Sequence, residues 1–306
     1  MMSVVLVVLS VQIAVSFFIL TERKGLGMFQ LRQGPNKASF KALGQPVADG
    51  VKLFIKQLSF PFSASLTSYL LGPGLLFFLA CLSWLAFPLI DGTVRMEWGM
   101  LYVLCVSSLH VFGVFICGYS CDSRYGMLGA MRGVAQAISY EVVMSGVAFC
   151  PLLLLGTFDL VGWRQSGGIM MCVLTVESMI IWMIVMLAET NRTPFDFVEG
   201  ESELVAGYSV EYGGGSFAMI ALAEYGSMFF MALLTSVMFF SGFGMPGHAC
   251  VWINLWHSWW AVVFCYFFIV IRGALPRFRY DLLMSFCWVL LLPVTLSLMT
   301  FYLCVG

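Results

Sequence analysis

The sequence predicts an all-α, polytopic integral membrane protein with about eight transmembrane helices and an amphipathic interfacial helix in its first loop. Three observations predict it. Hydrophobic residues make up 61% of the 306 and charged residues 10%, whereas soluble domains are roughly 45 to 50% apolar and about 25% charged. A soluble fold of this length buries a large core, but its surface needs more ionised groups than 15 basic and 16 acidic residues supply. Uncharged runs of transmembrane length, about 17 to 25 residues, recur along the chain, and the basic residues between them gather on alternate loops.

Met1 to Leu20 has no basic leading region and no small-residue cleavage pattern, so it reads as a retained first span with no cleavable organelle-targeting segment before it. Residues 2 to 20, 66 to 90, 98 to 121 and 282 to 306 contain no Asp, Glu, Lys or Arg. The uncharged stretch from Tyr225 to Ile271 is too long for one helix, and the glycines and proline from Gly242 to Gly247 divide it. Two further runs, 133 to 158 and 165 to 190, are interrupted by acids. One membrane domain over 1–306 results, with spans near 2–21, 66–90, 98–121, 133–158, 165–190, 216–241, 251–272 and 283–304.

If the loops alternate sides, one side carries Arg23, Lys24, Arg32, Lys37, Lys41, Lys52, Lys56, Arg124, Arg132, Arg192, Arg272, Arg277 and Arg279, and the other only Arg95 and Arg164. The positive-inside rule then puts both termini on the outer side. Within the first loop, Leu43, Val47, Val51, Phe54, Ile55 and Leu58 recur near helical spacing with Asp49, Lys52 and Lys56 between them. That pattern predicts an interfacial or partner-facing helix over 42–59, ended by Pro61, in preference to an irregular loop.

The charges that remain inside the spans carry the functional signal. Glu141, Glu177, Glu189 and Glu224 fall within or at the ends of predicted spans, where an ionised carboxylate costs at least about 2.5 kcal/mol. Carboxyl groups kept from water yet able to exchange a proton are what a proton relay requires. The alternative is that some lie near water or serve packing and hydrogen bonding. The loop from Thr190 to Tyr212 places Asp196, Glu199, Glu201, Glu203 and Glu211 near one cation, Arg192. It is either a solvated acidic loop or one whose repulsion is relieved by water, protons or a partner's cations.

Other chemistries find little support. A net charge of -1 supplies no field for nucleic acid. His110, His248 and His257 make no metal-ligand pattern, and no phosphate-binding loop or nucleotide fingerprint occurs. Gly213 to Gly215 reads as a turn before a span, and Trp256 to Trp260 as an interface aromatic belt instead of a redox site. Cys117 and Cys121 are one helical turn apart and could meet, but small buried hydrophobes are the favoured reading for them and the other cysteines.

Several blocks resemble a known family. They are Glu22-Arg23-Lys24, Arg32 to Lys37 (RQGPNK), Gln45 to Phe54 (QPVADGVKLF), Ala135 to Glu141 (AQAISYE), Ala188 to Asp196 (AETNRTPFD) continuing through Glu199 to Val205 (EGESELV) to Glu211-Tyr212, Ala223-Glu224-Tyr225, and Pro276 to Asp281 (PRFRYD). In order and spacing they cover nearly the whole chain. The sequence resembles NADH dehydrogenase subunit 1 of respiratory complex I, which is similar to the H subunit of the bacterial enzyme.

The resemblance implies a membrane-side quinone tunnel at the junction of the electron-transfer and proton-pumping arms. Ubiquinone or a related quinone is the implied substrate, and NADH, FMN, iron-sulfur clusters and metals belong to other subunits. Implied partners are the peripheral-arm quinone-site subunits, small membrane subunits, antiporter-like subunits and lipid. The implied location is the mitochondrial inner membrane, with the gene in the organelle, or a bacterial plasma membrane. By the same resemblance, Glu22, Arg23 and Arg32 match the junction at the first loop and Asp49 the polar part of the helix after it, Glu199, Glu201 and Glu203 line or border the quinone cavity with Arg192 as a compensating cation, and all of these with Asp196 are candidates for the quinone cavity or tunnel. Arg272, Arg277 and Arg279 shape its entrance or dock the peripheral arm, and Glu141, Glu189 and Glu224 join a carboxylate route toward the antiporter-like subunits. Gln57 departs from the pattern, since the family commonly has an acid there. Glu177 matches nothing in the family and is left to extend the relay, face a gap without lipid or pair with a partner. The competing expectations are a membrane subunit of a related hydrogenase or ion-translocating complex, and a standalone transporter or channel, which leaves the two polar blocks without a purpose.

Overall fold

A computed structural model describes residues 2–37, 39–61, 64–87, 96–165, 171–198, 200, 205–241 and 250–305. The described residues form helices and no strand: α1 Met2–Phe29, α2 Gln45–Ile55, α3 Leu66–Ser83, α4 Gly99–Ser120, α5 Arg124–Leu155, α6 Leu160–Gln165, α7 Met171–Leu174, α8 Val176–Glu189, α9 Gly215–Phe239, α10 Cys250–Ala274, α11 Tyr280–Ser285 and α12 Leu292–Val305, the last two joined by a π-helical turn. Seven helical stretches are long and apolar enough to cross a membrane, running through α1, α3, α4, α5, α9, α10 and α11–α12.

The helices run past the charges at which the predicted spans stop. α1 continues through Glu22, Arg23 and Lys24 to Phe29, and α5 starts at Arg124 and includes Arg132. At 1.5 Å per residue, the 32 residues of α5 extend about 48 Å against a hydrocarbon core of about 30 Å. Charged turns at the ends therefore project beyond the apolar layer, and hydropathy marks that layer instead of the helix. Ser123 caps α5 by accepting a hydrogen bond from the Gly126 amide at 3.1 Å, and Gly156 ends it in the left-handed region (φ 68°).

Where one span is expected over 165–190, the structure has α6, α7 and α8, with 166–170 outside the described residues. Thr175, at φ -124° and ψ 45°, interrupts α7 and α8, yet its amide still donates to the Met171 carbonyl at 2.9 Å and its carbonyl accepts from the Met179 amide at 2.9 Å. In the first loop, helix α2 ends at Ile55, before Pro61, because Lys56 turns extended. No residue of α2 is buried, and Val47, Val51, Phe54 and Ile55 lie exposed on it.

α3, α4 and α5 pack in succession, α5 also meets α8 and α12, and α9 packs on α3, α10 and α1. Small residues permit the close crossings of α4: a Cβ on Gly113 would lie 2.6 Å from Leu76, and one on Gly118 2.1 Å from Ala130. α2 touches α1 and α9. Gly214 is the hinge of that contact. Its φ of 62° suits glycine, and a Cβ there would sit 2.9 Å from the Lys56 carbonyl oxygen. The larger apolar core unites α1, α5, α8, α9, α10 and α12, and a smaller one lies where Tyr69, Cys117, Cys121, Tyr208 and Tyr212 meet.

Candidate functional site

Glu22, on the last turns of α1, is 5% exposed and carries the densest charge cluster. Its Oε1 accepts from Arg192 Nη1 at 3.1 Å and from Arg272 Nη1. Three separate parts of the chain thus converge on one carboxylate. The convergence depends on how α8 ends. Asn191 takes a left-handed conformation (φ 50°), which Asn tolerates better than most residues, and the Arg192 amide turns back to the Leu187 carbonyl at 3.1 Å. The Arg192 guanidinium then lies 4.5 Å from the Tyr225 ring centroid and donates Nε–H to Met228 Sδ at 2.9 Å. Burial works against its charge, but Glu22 and Tyr225 outweigh it and hold Arg192 above the ordinary arginine range.

A second pair borders the first. Arg277 Nη2 donates to Asp196 Oδ2 at 3.2 Å, Phe278 stacks on Phe195 with centroids 5.8 Å apart, and the Phe278 amide donates to the Pro194 carbonyl at 3.1 Å. Beyond them an apolar groove of about 710 Å³ runs between α8, α10 and α11, lined by residues including Leu187, Ile271, Phe278 and Phe286. Arg23 ties α1 to α2 through Asp49 at 2.7 Å, and Gln45 donates to the other Asp49 oxygen at 2.8 Å.

Other predicted residues stand apart from this cluster. Arg32 donates to Gln30 at 2.8 Å on an exposed turn, and Arg279 pairs with Asp281 at 3.0 Å with both side chains largely in the open. Glu199, Glu201 and Glu203 lie outside the described residues. Glu177 sits exposed in the first turn of α8, at the opposite end from Glu189.

Of the acids in the spans, Glu224 accepts a hydrogen bond from the Tyr208 hydroxyl and is followed directly by Tyr225, which stacks under Arg192. Glu189 ends α8 and lines a cavity of about 60 Å³, and its Oε2 is buried without a hydrogen-bond partner among the described residues. The tyrosines and one glutamine escaped the charge-led reading. Tyr212 hydroxyl lies 2.7 Å from Ser120 Oγ, and Cys121 Sγ donates to the Tyr208 carbonyl at 3.0 Å, so this cysteine is a buried free thiol. Gln136, fully buried, donates to the Ala188 and Phe195 carbonyls at 2.9 Å each, joining α5 to both sides of the Arg192 turn. Its only sequence signal is its place in the Ala135 to Glu141 block. Among the described residues no three His, Cys, Asp or Glu come together to hold a metal.

These contacts link residues from every block that carries the resemblance except the Arg32 turn, and known sequences bear it out. The family model described as NADH dehydrogenase matches residues 2–303. NADH-ubiquinone oxidoreductase chain 1 of Mytilus edulis is 41% identical over 290 residues, covering 94% of this chain and 92% of that one. The chain of the same name from Aedes aegypti is 40% identical over 298 residues (97% and 93%), and that from Heterololigo bleekeri 42% identical over 296 (94% and 91%). The chain therefore belongs to the NADH dehydrogenase subunit 1 family of complex I membrane subunits.

Proposed function

We infer that this chain forms the membrane side of a quinone tunnel in complex I and starts a proton-coupling route from it. The observation that carries the reading is the Glu22–Arg192–Arg272 cluster with Tyr225 beside it. A long-tailed quinone dissolves in the bilayer, so its head group reaches such a cluster from the lipid. Helix α2, which rests on α1 and α9 and leaves Val47, Val51, Phe54 and Ile55 exposed, suits the rim of that entrance. Reduction of the head group takes up two protons, and the field of the unprotonated product acts on nearby acids. Glu224, Glu189 and Glu141 form the proposed route, and the family resemblance gives Glu199, Glu201 and Glu203 to the quinone cavity. The route leaves out Glu177.

This reading includes further assignments. Residues 171–189 form the eighth span, about 28 Å long at helical rise. Both termini face the outer side of the mitochondrial inner membrane, which the split of basic residues supports. NADH oxidation and electron delivery belong to peripheral-arm partners, and antiporter-like and small membrane subunits receive the signal. The chain itself has no separate NADH-oxidising activity.

The test is Arg192→Met in the assembled complex. The quinone KM rises by about tenfold or more, the loss of one charge-assisted contact of about 1.5 to 3 kcal/mol. NADH oxidation by a water-soluble one-electron acceptor stays at the wild-type rate. Unchanged quinone kinetics in a complex of normal composition rejects the assignment.

A further inference from the structure

His110 lies midway along α4, in a span without a charged residue. Its Nε2 is buried and, among the described residues, has no hydrogen-bond partner; the same holds for Glu189 Oε2. Both side chains line the same cavity of about 60 Å³, with Ser83, Ser107, Thr190 and Ser227 around them. The four hydroxyls already donate inward to their own helices: Ser83 to the Ala80 carbonyl at 2.7 Å, Ser107 to Leu104 at 2.9 Å, Thr190 to Met186 at 2.9 Å and Ser227 to Glu224 at 2.7 Å. Their remaining lone pairs are acceptors. A cavity of this polarity and size suits about two water molecules, each needing two to four polar partners. Two buried ends that must otherwise lose about 1 to 3 kcal/mol each supply such partners.

We propose that His110 and Glu189 exchange a proton through water held in this cavity, making His110 a branch of the proton route on the α3–α4 side. The proposal rests on the carboxylate route described above and extends it to an imidazole. The step is balanced. Glu189 gives its carboxyl proton to a bridging water as that water gives one to the basic ring nitrogen, leaving a carboxylate and an imidazolium; return restores both. Of the titratable groups of the packed elements, α8 contributes Glu189 to the cavity lining and α5 contributes Glu141, whose charge acts on Glu189, while the Glu224 carboxyl of α9 is turned to Tyr208. The described part of α3 beside His110 offers hydroxyl and apolar side chains only. An imidazolium formed there therefore shares the cavity with the Glu189 carboxylate and, among the described residues, with no cation.

The experiment uses the whole complex in sealed vesicles, comparing His110→Gln, Ser107→Val and Glu189→Gln for assembly, quinone reduction and protons moved per NADH. Glutamine can hold water but cannot carry a proton; valine narrows the cavity without touching a titratable group. The expected result is coupled turnover at least about tenfold lower in His110→Gln and reduced in Ser107→Val, with uncoupled electron transfer to a soluble acceptor unchanged. Wild-type coupling in assembled His110→Gln overturns the proposal, as does wild-type coupling in Ser107→Val should the first variant not assemble. Loss of coupling in Glu189→Gln alone removes His110 and leaves the carboxylate route standing. Wild-type coupling in all three removes both.

Discussion

The charge cluster makes the most demanding prediction, for Glu22→Gln. Glu22 is 5% exposed and receives both Arg192 and Arg272 on one oxygen. The substitution keeps shape and removes charge, so two guanidiniums lose their shared counterion. Removing one member of a buried ion pair costs about 3 to 5 kcal/mol. Arg272, with 36% of its side chain exposed, recovers water and contributes little, while Arg192 is 16% exposed and keeps its stacking on Tyr225. The expected net cost is about 3 kcal/mol, a shift of about a hundredfold in the folded population. Thermal inactivation of quinone reduction in the purified complex measures it, with the amount of assembled complex as a second readout. Replacing Arg192 by Met in the same chain separates the pair from general damage. If the cost comes from a stranded cation, the double variant recovers at least about 1.5 kcal/mol of the loss. Glu22→Gln with unchanged thermal inactivation, or a double variant worse than either single, refutes the account.

Three further substitutions test the supports around the cluster. Gln136→Leu removes the two side-chain bonds that join α5 to the Ala188 and Phe195 carbonyls, which keep the Asn191 and Phe197 amides as donors, and costs about 1 kcal/mol; an unchanged thermal inactivation temperature contradicts it. Gly214→Ala forces a side chain into φ 62° against the Lys56 carbonyl and costs about 1 to 3 kcal/mol, seen as faster proteolysis of the α2 segment in the isolated complex; wild-type protection rules it out. Tyr208→Phe removes the hydroxyl that donates to Glu224, moving the carboxyl band assigned to Glu224 in infrared difference spectra while assembly stays normal; a band that does not move counts against the bond.

The long helices were legible in the sequence because the bilayer imposes long apolar runs, which a single acid such as Glu141 in α5 does not hide, and one run alone was not a continuous helix. The exception shows what that rule omits. Residues 165–190 are apolar enough to read as one span, but Thr175 breaks the backbone into α7 and α8, and a single β-branched residue leaves hydropathy unchanged. Helices α1 and α5 run past the predicted spans for the opposite reason. Charges end a hydropathic run but not a helix whose last turns lie in water or meet ion partners, as Glu22 does. Within the site, Glu22, Arg192 and Arg272 were each legible as charges out of place, but their meeting depends on contacts 170 and 250 residues apart in sequence. Only the family resemblance joined them beforehand. Tyr208, Gln136 and His110 carry no net charge, so a pattern of charges in apolar runs does not mark them.

The position of Arg192 explains how a change at the cluster can reach the acids in the spans. It follows Glu189 by three residues, at the turn that ends α8, so backbone displacement there moves both. Its guanidinium rests on Tyr225, the residue next to Glu224, and its other partner is Glu22. A unit charge appearing about 8 Å from such a group acts with about 2 kcal/mol at an effective dielectric constant of about 20, enough to change a proton's equilibrium about thirtyfold. On the proposed function, a reduced head group near Glu22 would compete with it for Arg192, and whatever Arg192 gave up would be felt at Glu224 through Tyr225 and at Glu189 through the turn. Lysine at 192 separates the two links: it keeps the cation for Glu22 but lacks the planar group that stacks on the ring. Arg192→Lys is expected to retain quinone binding within about threefold while lowering protons moved per NADH. Equal loss of both would place the coupling in the charge alone.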